Sequence, residues 1–257
     1  MLRSRIIPCL LIHENGLVKS RKFGDYKYVG DPINAVRIFN EKQVDELIVL
    51  DIDASAQKQP PDFNLVRKIA RECAMPLTYG GGVASVDDAS RLIDLGVEKV
   101  AASAAAIDSP RLLSEIAARI GQQSVVVVLD IKKTLFGKYA IYTLNGQRKA
   151  KQSLEEMLSI LEQIGYGEIV INNIDLDGEM SGYDLDLANM ARQAVSGPLT
   201  FLGGAGDKKD LQSLIETVGV TGAGAGSMFV FNGTYKAVLI SYLDKTERSS
   251  LYELRKQ

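Results

Sequence analysis

Asp130 follows five consecutive apolar residues at positions 125–129 and is a candidate general acid or base. A continuous β-branched run of this kind is typical of a strand buried on both faces, as in a parallel sheet. In parallel α/β folds, ligands bind and chemistry occurs at the carboxyl ends of the strands. Taken alone, an aspartate here fits a turn or a helix cap equally well. The pattern of the other segments distinguishes these roles from a catalytic one.

Glycines follow other apolar runs, and their positions predict phosphate binding. Gly82 ends a glycine triplet, Gly203 and Gly204 form a pair, and Gly226 precedes Ser227. A glycine has no Cβ atom and so lets backbone N–H groups approach a phosphate closely. Two glycine clusters at matching places in the two halves predict a substrate with a phosphate at each end. The alternative is that the glycines only permit tight turns.

Eight strand–helix units position these residues. The predicted strands cover residues 5–12, 46–50, 76–79, 99–102, 125–129, 168–172, 199–202 and 220–225. The predicted helices cover residues 32–42, 62–71, 110–120, 153–163, 183–195, 208–217 and 235–243, and Ser85 caps one more. Eight such units in 257 residues predict an α/β fold, a closed (β/α)8 TIM barrel, with an open doubly wound sheet as the alternative.

Two connections differ from this scheme. Residues 13–31 are predicted to form a long polar loop, and a loop of that length is usually functional or disordered. Residues 139–144, followed by Asn145 and Gly146, predict a small hairpin inserted after the fifth strand.

The two halves of the chain resemble each other. Asp51 and Gly82 in the first half have counterparts in Asp175 and Gly204 in the second. We therefore expect one domain, residues 1–257, built from two half-barrels at about 1–122 and 123–257.

The composition is ordinary for a globular protein and argues against several classes of function. A net charge of −2 gives no reason to expect nucleic acid or an anionic membrane as partner. No apolar run has the roughly 20 residues of a membrane span, and the N-terminus lacks a small-residue cleavage site. Cys9 and Cys73 form neither a disulfide framework nor a zinc set. We expect a cytoplasmic protein without metal or cofactor.

The chain resembles the HisF family, the cyclase subunits of imidazole glycerol phosphate synthase, from end to end. The matching motifs are RIIPCL (5–10), GLVKS (16–20), DELIVLDIDAS (45–55), PLTYGGGV (76–83), DLDGEMSGYDL (175–185) and LGGAG (202–206). The resemblance implies a barrel that binds the two-phosphate substrate PRFAR at the carboxyl face of its strands. It also implies a HisH glutaminase on the opposite face, whose ammonia passes through the barrel to form imidazole glycerol phosphate and AICAR.

The resemblance also implies a set of site residues, and some of them are altered here. The family uses two aspartates as general acid and base; one is Asp130, but the first-strand position is Leu11, which cannot exchange a proton. The residues assigned to phosphate binding are Gly82, Ser103, Asp177, Gly178, Gly203, Gly204, Gly226 and Ser227. Ala104 and Leu202 stand where the family usually has Thr and Ser. Asp51, Asp53 or the single histidine, His13, are the alternatives for the missing acid, although a loop histidine is more often just solvated.

Four charged residues match the ring that gates ammonia entry at the bottom of the family's barrel. They are Arg5, Glu46, Lys99 and Glu168, each at the start of a predicted strand. The alternative is that these charges only stabilise the barrel.

Three hypotheses follow from a bottom face that matches the family pattern and a top face that departs from it. The first is a cyclase of histidine biosynthesis that tolerates Leu11 by using Asp130 with another carboxylate. The second is a divergent paralogue that partners a HisH-like glutaminase and supplies ammonia for amidination of a surface-polysaccharide sugar, beside a sugar amidotransferase. The third is a non-catalytic, ligand-binding activator of the glutaminase. The four charges favour the first two, and Leu11, Ala104 and Leu202 favour the second over the first.

Overall fold

The computed structural model describes residues 3–254 and forms a closed parallel barrel of eight strands. The barrel strands are Arg5–His13, Leu47–Asp51, Leu77–Gly80, Lys99–Ala102, Val125–Lys133, Glu168–Asn173, Leu199–Leu202 and Gly222–Ala225. The first strand pairs in parallel with the second, where Cys9 lies opposite Ile48, and with the eighth, where Arg5 lies opposite Gly222. This pairing closes the ring and confirms the (β/α)8 prediction.

Helices surround the barrel and connect its strands. They are Pro32–Glu41, Phe63–Glu72, Val86–Asp94, Ala104–Asp108, Arg111–Ile120, Leu154–Ile164, Leu185–Ala194, Lys208–Val218, Ser227–Val230 and Lys245–Tyr252, with 3-10 turns at Gln122–Ser124 and Ile174–Leu176. The predicted cap at Ser85 forms, because its hydroxyl accepts the Asp88 N–H. Within residues 3–254, no helix is both long enough and apolar enough to cross a membrane.

Side chains alternate along the strands and so divide the apolar core into two layers. In the first strand, Ile6 and Leu10 point outward and pack with the surrounding helices. Ile7, Cys9 and Leu11 point inward and belong to a separate cluster inside the barrel. A period of two along each strand produces this division. The interior of the barrel is therefore lined mainly by apolar side chains.

The predicted loop at residues 13–31 is wrong, because this segment folds into strands. Gly16–Arg21 pairs antiparallel with the end of the first barrel strand, and Gly24–Gly30 pairs with Gly16–Arg21. The first turn has Glu14 and Asn15 at φ +49° and +65°. Positive φ at two adjacent central residues is typical of tight hairpin turns, which here use side chains other than glycine.

The predicted hairpin after the fifth strand is confirmed. The fifth strand extends to Lys133 and pairs antiparallel with Tyr139–Thr143, which in turn pairs with Arg148–Ser153. Gly146 has φ +74°, so the turn uses the conformation that its Asn-Gly signature predicts.

The predicted helix at residues 235–243 is wrong. Phe231–Asn232 and Ala237–Val238 form a short antiparallel pair instead, and the last helix begins only after Asp244. Asp244 and Glu247 form a capping box that fixes this start. Leu239 is 55% exposed, whereas Ile240 and Tyr242 pack against the core. The N–H groups of Leu239 and Ser241 donate to the carbonyls of Val230 and Phe229, each at 2.9 Å, and these bonds hold the segment out of a helix.

Candidate functional site

A pocket opens at the carboxyl ends of the barrel strands and brings most of the predicted site residues together. Its lining includes Asp130, Leu11, Ser103, Asp177, Gly178, Gly203, Gly204, Gly226 and Ser227. Gly82 does not line the pocket; its neighbour Gly81 does. The Gly82 N–H donates to the Ser55 hydroxyl at 3.1 Å and is therefore already occupied.

Asp130 is placed for proton transfer at neutral pH. It is partly accessible from the pocket but is surrounded by protein, and its Oδ1 accepts a hydrogen bond from the Asn172 amide at 2.9 Å. Burial, with a smaller contribution from Asp177, raises the pKa of Asp130 to about 7 against the effect of that hydrogen bond. A carboxyl group with such a pKa can both accept and donate a proton near neutral pH.

Leu11 faces the same pocket and supplies only apolar surface. It packs in the inner cluster with Cys9, Val128 and Leu202. A second proton-transfer group would thus have to come from elsewhere in the lining.

The other carboxylates of the pocket are engaged by hydrogen-bond donors. Asp51 accepts the backbone N–H groups of Asp53 and Ala54 at 2.9 and 3.0 Å, and Asp177 accepts the Ser20 hydroxyl at 2.6 Å. Burial raises the pKa of Asp51 and of Asp177 against these hydrogen bonds. Both groups are therefore held by the strand-end loops and the hairpin.

His13 is paired outside the pocket lining. Its Nδ1 lies 2.7 Å from the Asp53 carboxylate, and its ring packs at 4.6 Å from that of Tyr26. Asp53 also accepts the Glu14 N–H at 2.8 Å. The geometry thus places His13 and Asp53 in a contact that fixes the start of the hairpin.

Lys19 is a pocket residue that the sequence analysis missed. It is 4% exposed, and its Nζ donates to the Cys9 carbonyl at 3.1 Å. A Cβ added to Gly226 would fall 2.1 Å from that Nζ, so the ammonium group lies directly beside Gly226 and Ser227. Lys19 lies in the GLVKS motif, but the prediction of a loop over residues 13–31 gives its side chain no direction. In a strand, side-chain alternation directs Lys19 to one face.

Residues 16–30, which we call the mouth hairpin, cover one side of the pocket. Besides the Ser20 contact, the Lys22 N–H donates to the Asp177 carbonyl at 2.9 Å. Arg21 makes a two-point ion pair with Glu179 at 2.8 and 2.9 Å. The mouth hairpin is thereby tied to the loop that follows the sixth strand.

The glycine pair after the seventh strand has a packing reason as well as a possible binding role. Gly203 and Gly204 have φ of +91° and +110°. A Cβ on Gly203 would lie 2.4 Å from the Asn173 carbonyl oxygen, and one on Gly204 would lie 2.0 Å from that of Gly182. Tight packing therefore requires glycine at both positions, and both glycines also line the pocket.

A closed ring of four charges lies at the opposite end of the barrel. Arg5 contacts Glu46 at 2.5 Å and Glu168 at 2.6 Å. Lys99 contacts the same two carboxylates, each at 2.9 Å. Thr78 donates its hydroxyl to Glu46 at 2.9 Å from the barrel interior. Each acid thus bridges both bases, and the four predicted residues form one network.

The ring keeps the Glu168 carboxylate charged. Burial alone would raise the pKa of Glu168, but Arg5, Lys99 and the Thr200 hydroxyl overcome it and lower the pKa to about 2. Burial opposes the charged form of Arg5 as well, yet Glu168 and Glu46 raise its pKa above the usual value. The ion pair between Arg5 and Glu168 is therefore charged near neutral pH.

Comparison with known proteins identifies the family. A family profile described as "Histidine biosynthesis protein" matches residues 5–236. The chain belongs to this family. A Vibrio vulnificus protein provisionally named imidazole glycerol phosphate synthase subunit hisF3 is 51% identical over 99% of this chain and 98% of its own length. A Leptospira interrogans protein provisionally named subunit HisF is 48% identical over 98% of this chain and all of its own.

More distant relatives carry the HisF name without qualification. The imidazole glycerol phosphate synthase subunit HisF of Streptococcus sanguinis is 34% identical over 99% of this chain and all of its own length. The protein is therefore HisF-like along almost its whole length. In this HisF-like protein, the charged ring and Asp130 are present, whereas Leu11 stands in the pocket where the family resemblance leads us to expect an aspartate.

Proposed function

We propose that this HisF-like protein is the barrel subunit of a glutamine amidotransferase complex. In this proposal a HisH-like glutaminase docks at the ring end, and ammonia enters through Arg5, Glu46, Lys99 and Glu168. It then passes through the barrel to the pocket at the other end. The protein is a divergent paralogue, and the ammonia serves the amidination of a surface-polysaccharide sugar by a sugar amidotransferase.

One observation carries the proposal: the two ends of the barrel differ. The ring is complete, with every acid paired to both bases. The pocket contains Asp130, whose pKa is raised to about 7, and an apolar side chain, Leu11, where the second aspartate is expected. A protein that receives ammonia but lacks half of an acid–base pair is better suited to delivering ammonia than to closing an imidazole ring.

The barrel interior suits an uncharged molecule. Between the two ends it is lined by apolar side chains such as Ile7, Ile48 and Val126. Ammonium would lose its hydration there without gaining a partner, whereas neutral ammonia has a much smaller desolvation cost. Such a lining supports transfer of ammonia after the ring has released it.

The pocket also supports binding of a phosphorylated ligand. Lys19 supplies a buried positive charge beside Gly226 and Ser227, and Ser103 and Gly178 line the same space. A phosphate bound there would gain charge-assisted hydrogen bonds. The phosphate assignments of Gly82, Gly203 and Gly204 are proposals of the same kind, and the occupied N–H of Gly82 counts against that residue.

A second candidate function is the cyclase of histidine biosynthesis, which converts PRFAR and ammonia to imidazole glycerol phosphate and AICAR. Asp130 favours it, because a pKa of about 7 suits general acid–base catalysis. This function needs another proton-transfer group to replace the aspartate missing at Leu11.

The proposal can be tested by mixing the protein with a HisH-type glutaminase and glutamine labelled with ¹⁵N in its amide. We expect a complex, faster formation of glutamate, and recovery of the label as ammonium when PRFAR is the only acceptor supplied. The variant Lys99→Ala, which removes one cation from the charged ring, is measured beside the natural chain. The proposal would be wrong if no complex formed, or if the label entered imidazole glycerol phosphate at one nitrogen per glutamate.

A further inference from the structure

The loop after the fifth barrel strand ends in a tight turn. The Thr134 N–H donates to the Lys138 carbonyl at 2.8 Å, and the Gly137 N–H donates to the Thr134 carbonyl at 2.9 Å. Gly137 has φ +77°, the left-handed conformation that completes such a turn. The turn is therefore held by its own backbone hydrogen bonds, and Leu135 and Phe136 form its apex.

The apex residues are unusual for their position. Turn positions favour Gly, Pro, Asn, Asp and Ser, which satisfy the backbone and interact with water. Leu135 and Phe136 are instead 103% and 93% exposed, so neither contributes to the packed core. Contact between large apolar side chains and water is unfavourable. Covering the two side chains with a partner would therefore lower the free energy.

Lysines flank this apex in sequence. Lys132 and Lys133 end the fifth barrel strand, and Lys138 follows the turn. Lys149 and Lys151 lie on the strand Arg148–Ser153 of the same sheet, and all five are exposed. The nearby Asp175 carboxylate accepts the backbone N–H of Lys133 at 2.8 Å. In the part of the chain that the structure describes, none of these five ammonium groups takes part in an ion pair. Residues 132–138 form what we call the basic tip.

The basic tip lies at the pocket end of the barrel. Asp130, which lines the pocket, and Lys132, the first residue of the tip, are on the same strand and on the same face of it. Tyr142 lies opposite Asp130 on one neighbouring strand and opposite Lys149 on the next. Because residues directly opposite each other share a face of the sheet, Lys149 lies on this face as well. A partner bound to the tip would therefore sit beside the mouth of the pocket.

We propose that the basic tip docks a second, different protein at the mouth of the pocket. The partner presents an apolar cavity that receives Leu135 and Phe136, and aspartate or glutamate side chains around that cavity pair with the lysines. An apolar centre with a charged rim is the usual anatomy of a protein interface. The docking rests on the exposure and charge of the tip and not on ammonia transfer.

A protein fits the tip better than a lipid surface does. The apolar part consists of two side chains from one turn, and stable membrane anchoring usually takes a longer apolar segment or two separate signals. The chain as a whole carries a net charge of −2, which weakens attraction to an anionic bilayer. A shaped cavity with carboxylates uses both features of the tip at once.

The test places a photo-crosslinking residue in the full chain, Phe136→p-benzoylphenylalanine, within the cells that make the protein. The crosslinked protein is identified by mass spectrometry and then purified and titrated with the unlabelled chain. We expect the double variant L135S/F136S to weaken its binding at least about 30-fold, the effect of losing a hot spot. The variant K132E/K138E should weaken binding too, and the wild-type affinity should fall as salt is added.

Tyr235→Ser is the matched control, because Tyr235 is 96% exposed on a different hairpin turn. It should leave the affinity unchanged. The proposal is overturned if Phe136 crosslinks to nothing, to another copy of this chain or to a HisH-type glutaminase. It is also overturned if vesicles containing anionic lipid bind the chain and L135S/F136S abolishes that binding, or if the captured protein binds L135S/F136S as tightly as wild type.

Discussion

Asp130 combines two properties that rarely occur in one carboxyl group, burial in the barrel and access to the pocket. The barrel wall raises its pKa to about 7, and a hydrogen bond from Asn172 opposes this shift. Such a site costs folding stability, because the charged form is favoured in the unfolded chain. A functional position commonly carries this cost.

Asp130→Asn should therefore stabilise the protein, and more so as the pH rises. The pKa is about 7 in the folded protein and 3.8 in the reference state, so the folded state holds more protons between these values. The free energy of unfolding of the wild type falls as the pH rises through this window, and the gain from the asparagine levels off above it, at no more than about 4 kcal/mol. Urea unfolding from pH 4 to 8 measures the difference.

Asp94→Asn, at an exposed position, is the control. Its difference in unfolding free energy from wild type should not grow in this way as the pH rises. If D130N and wild type kept a constant difference in stability across this range, the raised pKa of Asp130 would be refuted.

The sequence placed Asp130, Ser103 and Ser227 after strands, at the carboxyl end of the barrel, and all three line the pocket there. Their roles in proton transfer and phosphate binding stay predictions. Lys19 was missed, because its position depends on a hairpin that the sequence signals did not reveal. No sequence pattern gave the pairing of His13 with Asp53, since it joins side chains from two different strand ends.

At the scale of elements, the mouth hairpin is the segment whose position matters most for the pocket. The Ser20 hydroxyl is its buried contact with Asp177, and the Phe23 N–H donates to the same carboxylate at 3.3 Å. Lys19 and Tyr26 both belong to the hairpin and line the pocket. Movement of the hairpin would therefore remove one wall of the pocket together with its positive charge.

Ser20→Ala should loosen the mouth hairpin. A lost hydrogen bond to a buried carboxylate typically costs about 1.5–3 kcal/mol. If the loss lowers the free energy of local opening of the hairpin, hydrogen exchange at the amides of Lys22 and Phe23 should accelerate by roughly 10-fold or more. Tyr28→Phe is the control, because Tyr28 is 66% exposed on the outer strand of the hairpin. Equal exchange rates in S20A and wild type would show that Ser20 does not hold the hairpin.

The two segments that the sequence misassigned differ in physical cause. The turns of the mouth hairpin place Glu14, Asn15, Lys22 and Phe23 at positive φ, where glycine is the usual signal. Residues 235–243 have helical spacing of apolar residues, but their backbone bonds to Val230 and Phe229 instead of forming helical turns. The barrel strands, by contrast, were predicted within a few residues, because continuous β-branched runs at regular intervals leave little choice.

At the scale of the whole molecule, the charged ring connects four of the eight strands at the end opposite the pocket. Its carboxylates are buried, with Glu46 3% and Glu168 4% exposed. Removing one partner from such a network leaves a buried charge uncompensated. Loss of any one member should thus destabilise the fold, whether or not ammonia passes through the ring. The division into half-barrels at about residue 122 stays a prediction from the repeated motifs.

Lys99→Met should make the protein more sensitive to acid. The pKa of Glu168 is lowered to about 2 from 4.5, so its contribution to stability is present above about pH 4.5 and is lost as the pH falls towards 2. Without Lys99, the Glu168 pKa should rise and acid unfolding should begin at higher pH. Circular dichroism between pH 2 and 6 measures the midpoint, with Lys99→Arg as the charge-preserving control. An unchanged midpoint in K99M would mean that Lys99 does not stabilise the Glu168 carboxylate.

The most direct test of the account is turnover of PRFAR with ammonium salt by this chain alone, beside the variant Leu11→Asp. Leu11 is 9% exposed and lines the pocket, so an aspartate there would face Asp130's pocket rather than the packed outer layer. We expect no turnover by the natural chain and measurable formation of imidazole glycerol phosphate by L11D. Turnover by the natural chain at a rate similar to that of L11D or higher would contradict the account and place the protein among the cyclases of histidine biosynthesis.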